Sequence, residues 1–362
     1  MLPGSPCTTP RILLVVAACG LAISGCAGAP RTPASAPAAT SDSTRYEYSE
    51  IHMGVRARIV LHTATETVAT DAARAAFARI ARIDAIMSDY RVDSELMQLC
   101  DRAGQGPVPV SKDLFTVLSF AGELHDQSAG MFDVTAGPVV RLWREMRRRG
   151  ALAAPEAIDA AHALVGSQWM ILDPAAQTVS LIKPGMKLDL GGIAKGYACD
   201  GAAAVLREHG VTQFLVAMAG DIVVGQAPPG RDDWQVAVEG GVGASSQHGA
   251  PVVHLVNQAV STSGDAQQFV EIEGVRYSHI VDPHTGLGSS RRVAATVIAP
   301  RGMMSDALAT TLCLLPTEQG PRFIGPYAGV EAMIEEAAGE STIVRSTSGM
   351  AALRSPRTKS VP

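Results

Sequence analysis

The chain has 362 residues, nearly half of them apolar, and a formal charge of −5. With no basic run to accompany it, that balance argues against nucleic acid as a partner. The length allows one large domain or two closely packed ones behind any leader segment.

Taken in chain order, the first signal is Arg11 followed by the apolar run Ile12–Ile23. This pairing matches a signal peptide over residues 1–25, and the run is too short for a spanning helix, which needs about 20 residues. It leads into Ile23-Ser24-Gly25-Cys26, the small-residue pattern of a bacterial lipobox. Cleavage before Cys26 and a lipid on its thiol are the expectation; ordinary secretion with a free cysteine is the alternative. That places the protein at the periplasmic face of the cell envelope, and Ala27 leaves the choice of inner or outer membrane open. Residues 26–45, rich in Pro, Ala, Ser and Thr, are expected to form a flexible tether with a reach of about 25 Å. A folded body over 46–345 and a polar tail over 346–362 complete the expected organisation.

Within the body, alternation over Arg56–Leu61 predicts a strand. Ala73, Phe77, Ile80, Ile83 and Ile86 recur at helical spacing over 72–86. Ser111 is placed to cap a second helix whose apolar face carries Leu114, Val117, Leu118, Ala121 and Leu124. Further strands are expected at 186–190, 214–217, 222–224, 234–238, 252–255 and 293–298, with helices from about Ala194 to His209 and from Met303 to Leu315, the latter stopped by Pro316. Strands and helices come in groups rather than strict alternation, which favours an α+β architecture. Cys100, Cys199 and Cys313 are far apart and odd in number, so they read as small core residues rather than a disulfide framework or metal site.

Several segments could carry chemistry. Asp189-Leu190-Gly191-Gly192-Ile193-Ala194-Lys195-Gly196 runs from an extended segment through two glycines into a helix. Backbone N–H groups at that helix start, with Lys195 beside them, suit phosphate, although a plain tight turn is the simpler reading of the motif alone. Asp306 and Thr310 lie four apart on one helix face, a pair of hard oxygens suited to magnesium; a dipole-complementing Asp is the simpler reading of Asp306 alone. Ser278-His279-Ile280-Val281-Asp282-Pro283-His284-Thr285-Gly286 contains turn chemistry in Asp282, Pro283 and Gly286, with His279 before the turn as a possible base and His284 expected to face solvent. Tyr90 offers a flat stacking surface or merely ends a helix. The small-residue loops at 130–138 and 261–265 are ligand-approaching or plain connectors.

The order of these segments resembles the ApbE family of FAD:protein FMN transferases. The resemblance runs from Met53-Gly54 to Ile334. It passes through Ser88-Asp89-Tyr90 with Ser94-Glu95-Leu96, then GMFDVTAGPVVRLW at 130–143 and DLGGIAKGYACD at 189–200. It continues with AGD at 219–221, STSGD at 261–265, SHIVDPHTG at 278–286 and SDALATT at 305–311. Val55 replaces the Thr usual after Met-Gly, Ala219 replaces the first Gly of Gly-Gly-Asp, and Gly192 is a variable position.

The resemblance implies an α+β fold of the tunnelling-fold kind and Mg2+-dependent transfer of FMN from FAD to a Thr or Ser hydroxyl of an acceptor flavoprotein, with AMP released. It implies Mg2+ on the Gly192 carbonyl, Asp306 and Thr310. FAD, the substrate, would contact Met53, Tyr90, Met131, Phe132, Asp133, Asp189, Lys195, His279 and Ile280. Lys195 would meet phosphate charge, and His279 or Asp282 would take the hydroxyl proton. An FAD pyrophosphatase releasing FMN and AMP, or a non-catalytic flavin-binding lipoprotein, would use the same site. A dinucleotide-binding oxidoreductase is disfavoured, since no G-x-G-x-x-G follows a strand.

Overall fold

Alternating side chains around Arg56 open a large antiparallel sheet. A computed structural model describes residues 43–238, 241–242, 251–264 and 268–355. The expected signal segment, Cys26 and Asp265 lie outside these residues.

The chain begins with β1 (Thr44–His52), β2 (Val55–Thr63), α1 (Glu66–Met87), α2 (Glu95–Asp101), β3 (Val108–Pro109), α3 (Lys112–Gln127), α4 (Gly137–Arg149) and α5 (Pro155–His162). It continues through β4 (Met170–Asp173), β5 (Thr178–Leu181), α6 (Ala194–Glu208), β6 (Phe214–Met218), β7 (Asp221–Val224), β8 (Trp234–Ala237), β9 (Val252–Leu255) and β10 (Ala259–Gly264). The remainder comprises β11 (Phe269–Ile272), β12 (Val275–Ser278), β13 (Val293–Ala299), α7 (Gly302–Leu314), α8 (Gly320–Ile324), β14 (Glu331–Ala338), β15 (Ser341–Ser346) and β16 (Arg354–Ser355).

Eight strands form one sheet in the order β1-β2-β6-β7-β10-β13-β14-β15. Every neighbouring pair is antiparallel. Because side chains alternate along a strand, the sheet has two apolar faces. Ile59, Leu61, Phe214, Val216, Met218, Ala295, Val297, Ala332 and Ile334 point into one core, shared with α1, α6 and α7. Val60, Leu215, Ala217, Val224, Val260, Ile298 and Met333 point into the other, which Trp234, Val236, Val253, Leu255 and Met350 cover. Each large aliphatic side chain so buried stabilises the fold by about 1.5–3 kcal/mol.

Helix packing on the first face depends on small residues. The buried stripe of α1 holds Ala69, Ala72, Ala73 and Ala76. A methyl on Gly201 of α6 would stand 2.7 Å from Cδ1 of Ile83 on α1. A third apolar cluster joins α4 to the β11–β12 hairpin through Val139, Trp143, Met146 and Ile272. There the Trp143 indole donates to the Ser278 carbonyl at 3.1 Å.

The α+β reading holds, as do the strands at 214–218, 234–237, 252–255 and 293–299 and the helix that Pro316 follows. The Ser111 hydroxyl accepts from the Leu114 N–H, capping α3 as expected. Cys100, Cys199 and Cys313 are buried and form no disulfide, as small core residues should. Four expectations change. Residues 261–264, read as a small-residue loop, are the end of β10 and pair with β13 inside the sheet. Residues 186–190 form no strand: their amides go singly to scattered partners, Leu188 N–H to the Cys100 sulfur and Asp189 N–H to the Val134 carbonyl, rather than into a ladder. The folded body begins before residue 46, because Thr44 and Arg45 already pair with β2. The tail does not leave the fold at Ser346. Glu331 accepts from Thr347 and Gly349, Met350 is buried, and Arg354 and Ser355 pair with β9.

Candidate active site

Two glycines set the geometry where α6 meets α7. A methyl on Gly196 would lie 2.1 Å from the Gly302 carbonyl oxygen, so only hydrogen at both positions lets the helices approach this closely. Asp200, one turn along α6, locks the crossing. Its carboxylate accepts from the Gly302 N–H at 2.7 Å and the Met303 N–H at 2.9 Å, capping α7 from a neighbouring helix.

That approach brings Asp306 against the start of α6, where its Oδ2 accepts from the Gly196 N–H at 3.0 Å. One turn later, Thr310 faces the glycine loop: a methyl on Gly192 would sit 3.0 Å from both Cγ2 and Oγ1 of Thr310. Asp306 and Thr310 therefore share a face, as their spacing predicts. Ser263 of β10 lies beside them, its hydroxyl 3.3 Å from that of Thr310.

Lys195 joins this group to the sheet. Its Nζ stands 3.0 Å from Asp221 Oδ2 and 3.6 Å from Asp306 Oδ2, and donates to the Gly191 carbonyl at 3.4 Å. Both carboxylates are buried. Burial opposes the Lys195 charge, but Asp221 and then Asp306 overcome it and hold the ammonium above its ordinary pKa. Burial, reinforced by the Asp221 charge, pushes the Asp306 carboxyl up against the pull of Lys195. One ammonium thus leaves two buried carboxylates short of positive charge. Among the described residues, no cluster of three His, Cys, Asp or Glu side chains could hold a metal ion. The oxygens available here are a carboxylate, a hydroxyl and loop carbonyls, a hard donor set that fits magnesium.

A second group gathers on α4. Arg144 donates to Asp89 through one nitrogen and to Asp189 at 2.6 Å through the other. Its guanidinium lies 4.7 Å from the centre of the Tyr90 ring. Asp189 also accepts from the Gly191 N–H at 2.8 Å. Burial raises the Asp189 pKa, Arg144 opposes the rise, and the Asp89 charge adds to it.

The other expected contacts are more dispersed. Met53 occupies the β1–β2 hairpin tip in the left-handed region, φ 50°, next to Gly54. Phe132 is buried, and Met131 and Ile280 pack against the main core. The Asp133 carboxylate caps the short turn after it, accepting from both the N–H and the hydroxyl of Thr135. Asp133 also borders a cleft lined by His125, His162 and His284. His279 follows β12, and its ring stands 3.3 Å from the Gln268 carbonyl. Asp282 builds the turn: Oδ1 accepts from the His284 N–H, and its carbonyl accepts from Thr285 and Gly286. His284 is exposed, as expected.

The fold thus unites Lys195, Gly192, Asp306 and Thr310, and separately Tyr90 and Asp189, while His279 and Asp282 lie together on the segment that follows β12. Sequence reasoning missed Asp221 and Arg144. A carboxylate after two small residues at a strand start was the available signal for Asp221. Arg144 had none, being one of five arginines within nine residues of α4. Ala219 takes φ 53°, the left-handed conformation that the glycine it replaces adopts freely.

Comparison with known proteins finds relatives in both sequence and fold. The ApbE family pattern matches residues 53–334. The FAD:protein FMN transferase of Treponema pallidum is 31% identical over 303 residues, covering 80% of this chain and 83% of that protein. The Salmonella typhimurium FAD:protein FMN transferase is 28% identical over 320 residues, covering 86% and 88%. Among solved structures, the flavin transferase ApbE of Vibrio cholerae superimposes with a TM-score of 0.76 at 27% identity, covering 86% of this chain and 99% of that one. The apo flavinyl transferase ApbE of Pseudomonas stutzeri gives 0.73 at 26%, covering 86% and 97%.

Proposed function

The chain belongs to the ApbE family and is an FAD:protein FMN transferase, and on that premise we propose that it works through a magnesium site at the Gly192 carbonyl, Asp306 and Thr310. The observation that carries this reading is the meeting of Thr310 with Gly192 and of Asp306 with Lys195 at one helix crossing.

The transfer is substitution at phosphorus: an acceptor Thr or Ser hydroxyl bonds to the FMN phosphorus of FAD, and the bond to AMP breaks. Such reactions are assisted mostly by positioning and charge neutralisation. Bound at this site, magnesium would supply a divalent charge for the diphosphate. Lys195, held charged by Asp221 and Asp306, meets the remaining phosphate charge. His279, on the loop after β12, accepts the hydroxyl proton; Asp282 shapes the turn that carries it. Tyr90, Met53, Met131, Phe132, Asp133, Asp189 and Ile280 bound the dinucleotide.

Incubation with FAD, Mg2+ and an exported acceptor flavoprotein tests this. In-gel flavin fluorescence on the acceptor is expected. Free FMN and AMP without labelling would instead mean a hydrolase, and intact FAD a carrier.

We also propose that the mature protein is anchored in the cell envelope by a lipid on Cys26. The support is the apolar run ending in Ser24-Gly25-Cys26. Replacing Cys26 with Ser should move the protein from the membrane to the soluble fraction of expressing cells; an unchanged distribution would remove the anchor.

A further inference from the structure

Resting on the flavin reading above, we propose that Arg144 is a positioning residue that seats the Tyr90 stacking face and couples it to the glycine loop.

Tyr90 is 77% exposed, an unusual position for a large aromatic ring. Little apolar packing holds it. The Arg144 guanidinium lies against the ring at 4.7 Å, and a cation over an aromatic face restrains it while leaving the far side open. The same guanidinium grips Asp89, the residue just before Tyr90, and Arg141 donates to the Asp89 carbonyl at 3.4 Å. Backbone and ring of this loop are therefore both held from α4.

The other end of the guanidinium reaches Asp189. Asp189 accepts from the Gly191 N–H, and the Gly191 carbonyl accepts from Lys195. A continuous chain of contacts thus runs from Tyr90 through Arg144, Asp189 and Gly191 to Lys195. Arg144 is itself fixed, since Trp143 beside it is buried and bonded to Ser278. Lysine cannot reproduce this geometry, because a point charge does not grip two carboxylates and cover a ring at once. Arg147, next along this face, lies near Tyr90 and Arg144; burial lowers its pKa, Tyr90 opposes the fall and the Arg144 charge adds to it.

A ring stacked on Tyr90 would therefore be felt at the glycine loop, and a cation there would be felt by the flavin. Such coupling is reciprocal, each ligand tightening the other by the same factor.

The test uses the full chain with FAD, following flavin fluorescence for affinity and acceptor labelling for rate. Arg144→Gln is expected to weaken FAD about tenfold, a typical coupling magnitude. At saturating FAD and Mg2+ its kcat should fall by less than its affinity, because Lys195 keeps its direct partners Asp221 and Asp306. In wild type, Mg2+ should tighten FAD binding; in Arg144→Gln that dependence should flatten. Arg144→Lys should fall between the two. Unchanged FAD affinity with unchanged Mg2+ dependence in Arg144→Gln would overturn the proposal, as would a fall in kcat with no change in affinity. If Arg144→Gln does not fold, Asp89→Asn and Arg144→Lys decide, and wild-type FAD affinity in both would overturn it. A wild-type chain that binds FAD but labels nothing defeats transfer alone, and the affinity measurements still judge Arg144.

Discussion

Gly196 and Gly302 face each other across the α6–α7 crossing so closely that a methyl on Gly302 would stand 2.5 Å from the Gly196 carbonyl oxygen. This contact, together with the Asp200 bonds to the start of α7, sets the separation between Lys195 and Asp306. Overpacking of backbone cannot be relieved by rotating a side chain.

Replacing Gly196 with Ala should therefore cost about 3 kcal/mol of stability and move Asp306 away from the start of α6. A urea melt and the Mg2+ dependence of transfer should both shift. A variant with wild-type midpoint and wild-type Mg2+ response would show that the crossing does not position the site.

Asp306→Ala should lower transfer at least about a hundredfold, the scale of losing one group that stabilises developing charge. The protein should remain folded, since Lys195 keeps Asp221 at 3.0 Å and is not left as an unpaired buried charge. Full labelling of the acceptor by this variant would refute the metal assignment.

Acid should loosen two ion pairs that lie outside the candidate site residues. Hydrogen bonding from Arg79 holds the Asp113 carboxyl below its ordinary range despite burial, with Tyr197 adding to the effect. Arg291 does the same for Glu336, against burial and with help from Thr317. Both folded values are depressed, so their stabilisation is whole above the ordinary carboxylate range. It shrinks as pH falls below that range and is gone once pH passes the depressed values. Each should contribute about 1 kcal/mol at neutral pH. Urea midpoints measured from pH 7 to pH 3 should fall less steeply for the Asp113→Asn, Glu336→Gln double variant than for wild type. Parallel curves would exclude this source of acid sensitivity.

Local pattern made much of this protein legible. Apolar pattern located β2, β6, β7 and β13 of the large sheet, a 3.6-residue period located α1 and α3, and Pro316 marked the end of α7, because each is a property of neighbouring residues. Spacing also placed Asp306 and Thr310 on one face. The 186–190 segment misled because its apolar alternation reflects burial, while strand formation needs a ladder partner that only the assembled chain could supply or withhold. Asp221 and Arg144 were hidden for a related reason. Asp221 lies 26 residues beyond Lys195 in sequence, and Arg144 is 55 residues from Asp89 and 45 from Asp189. The sequence by itself determined the elements, the family and the inventory of charged groups. Which charges meet was decided only by tertiary structure, since pairing depends on distances of a few ångströms between segments that local propensity cannot relate.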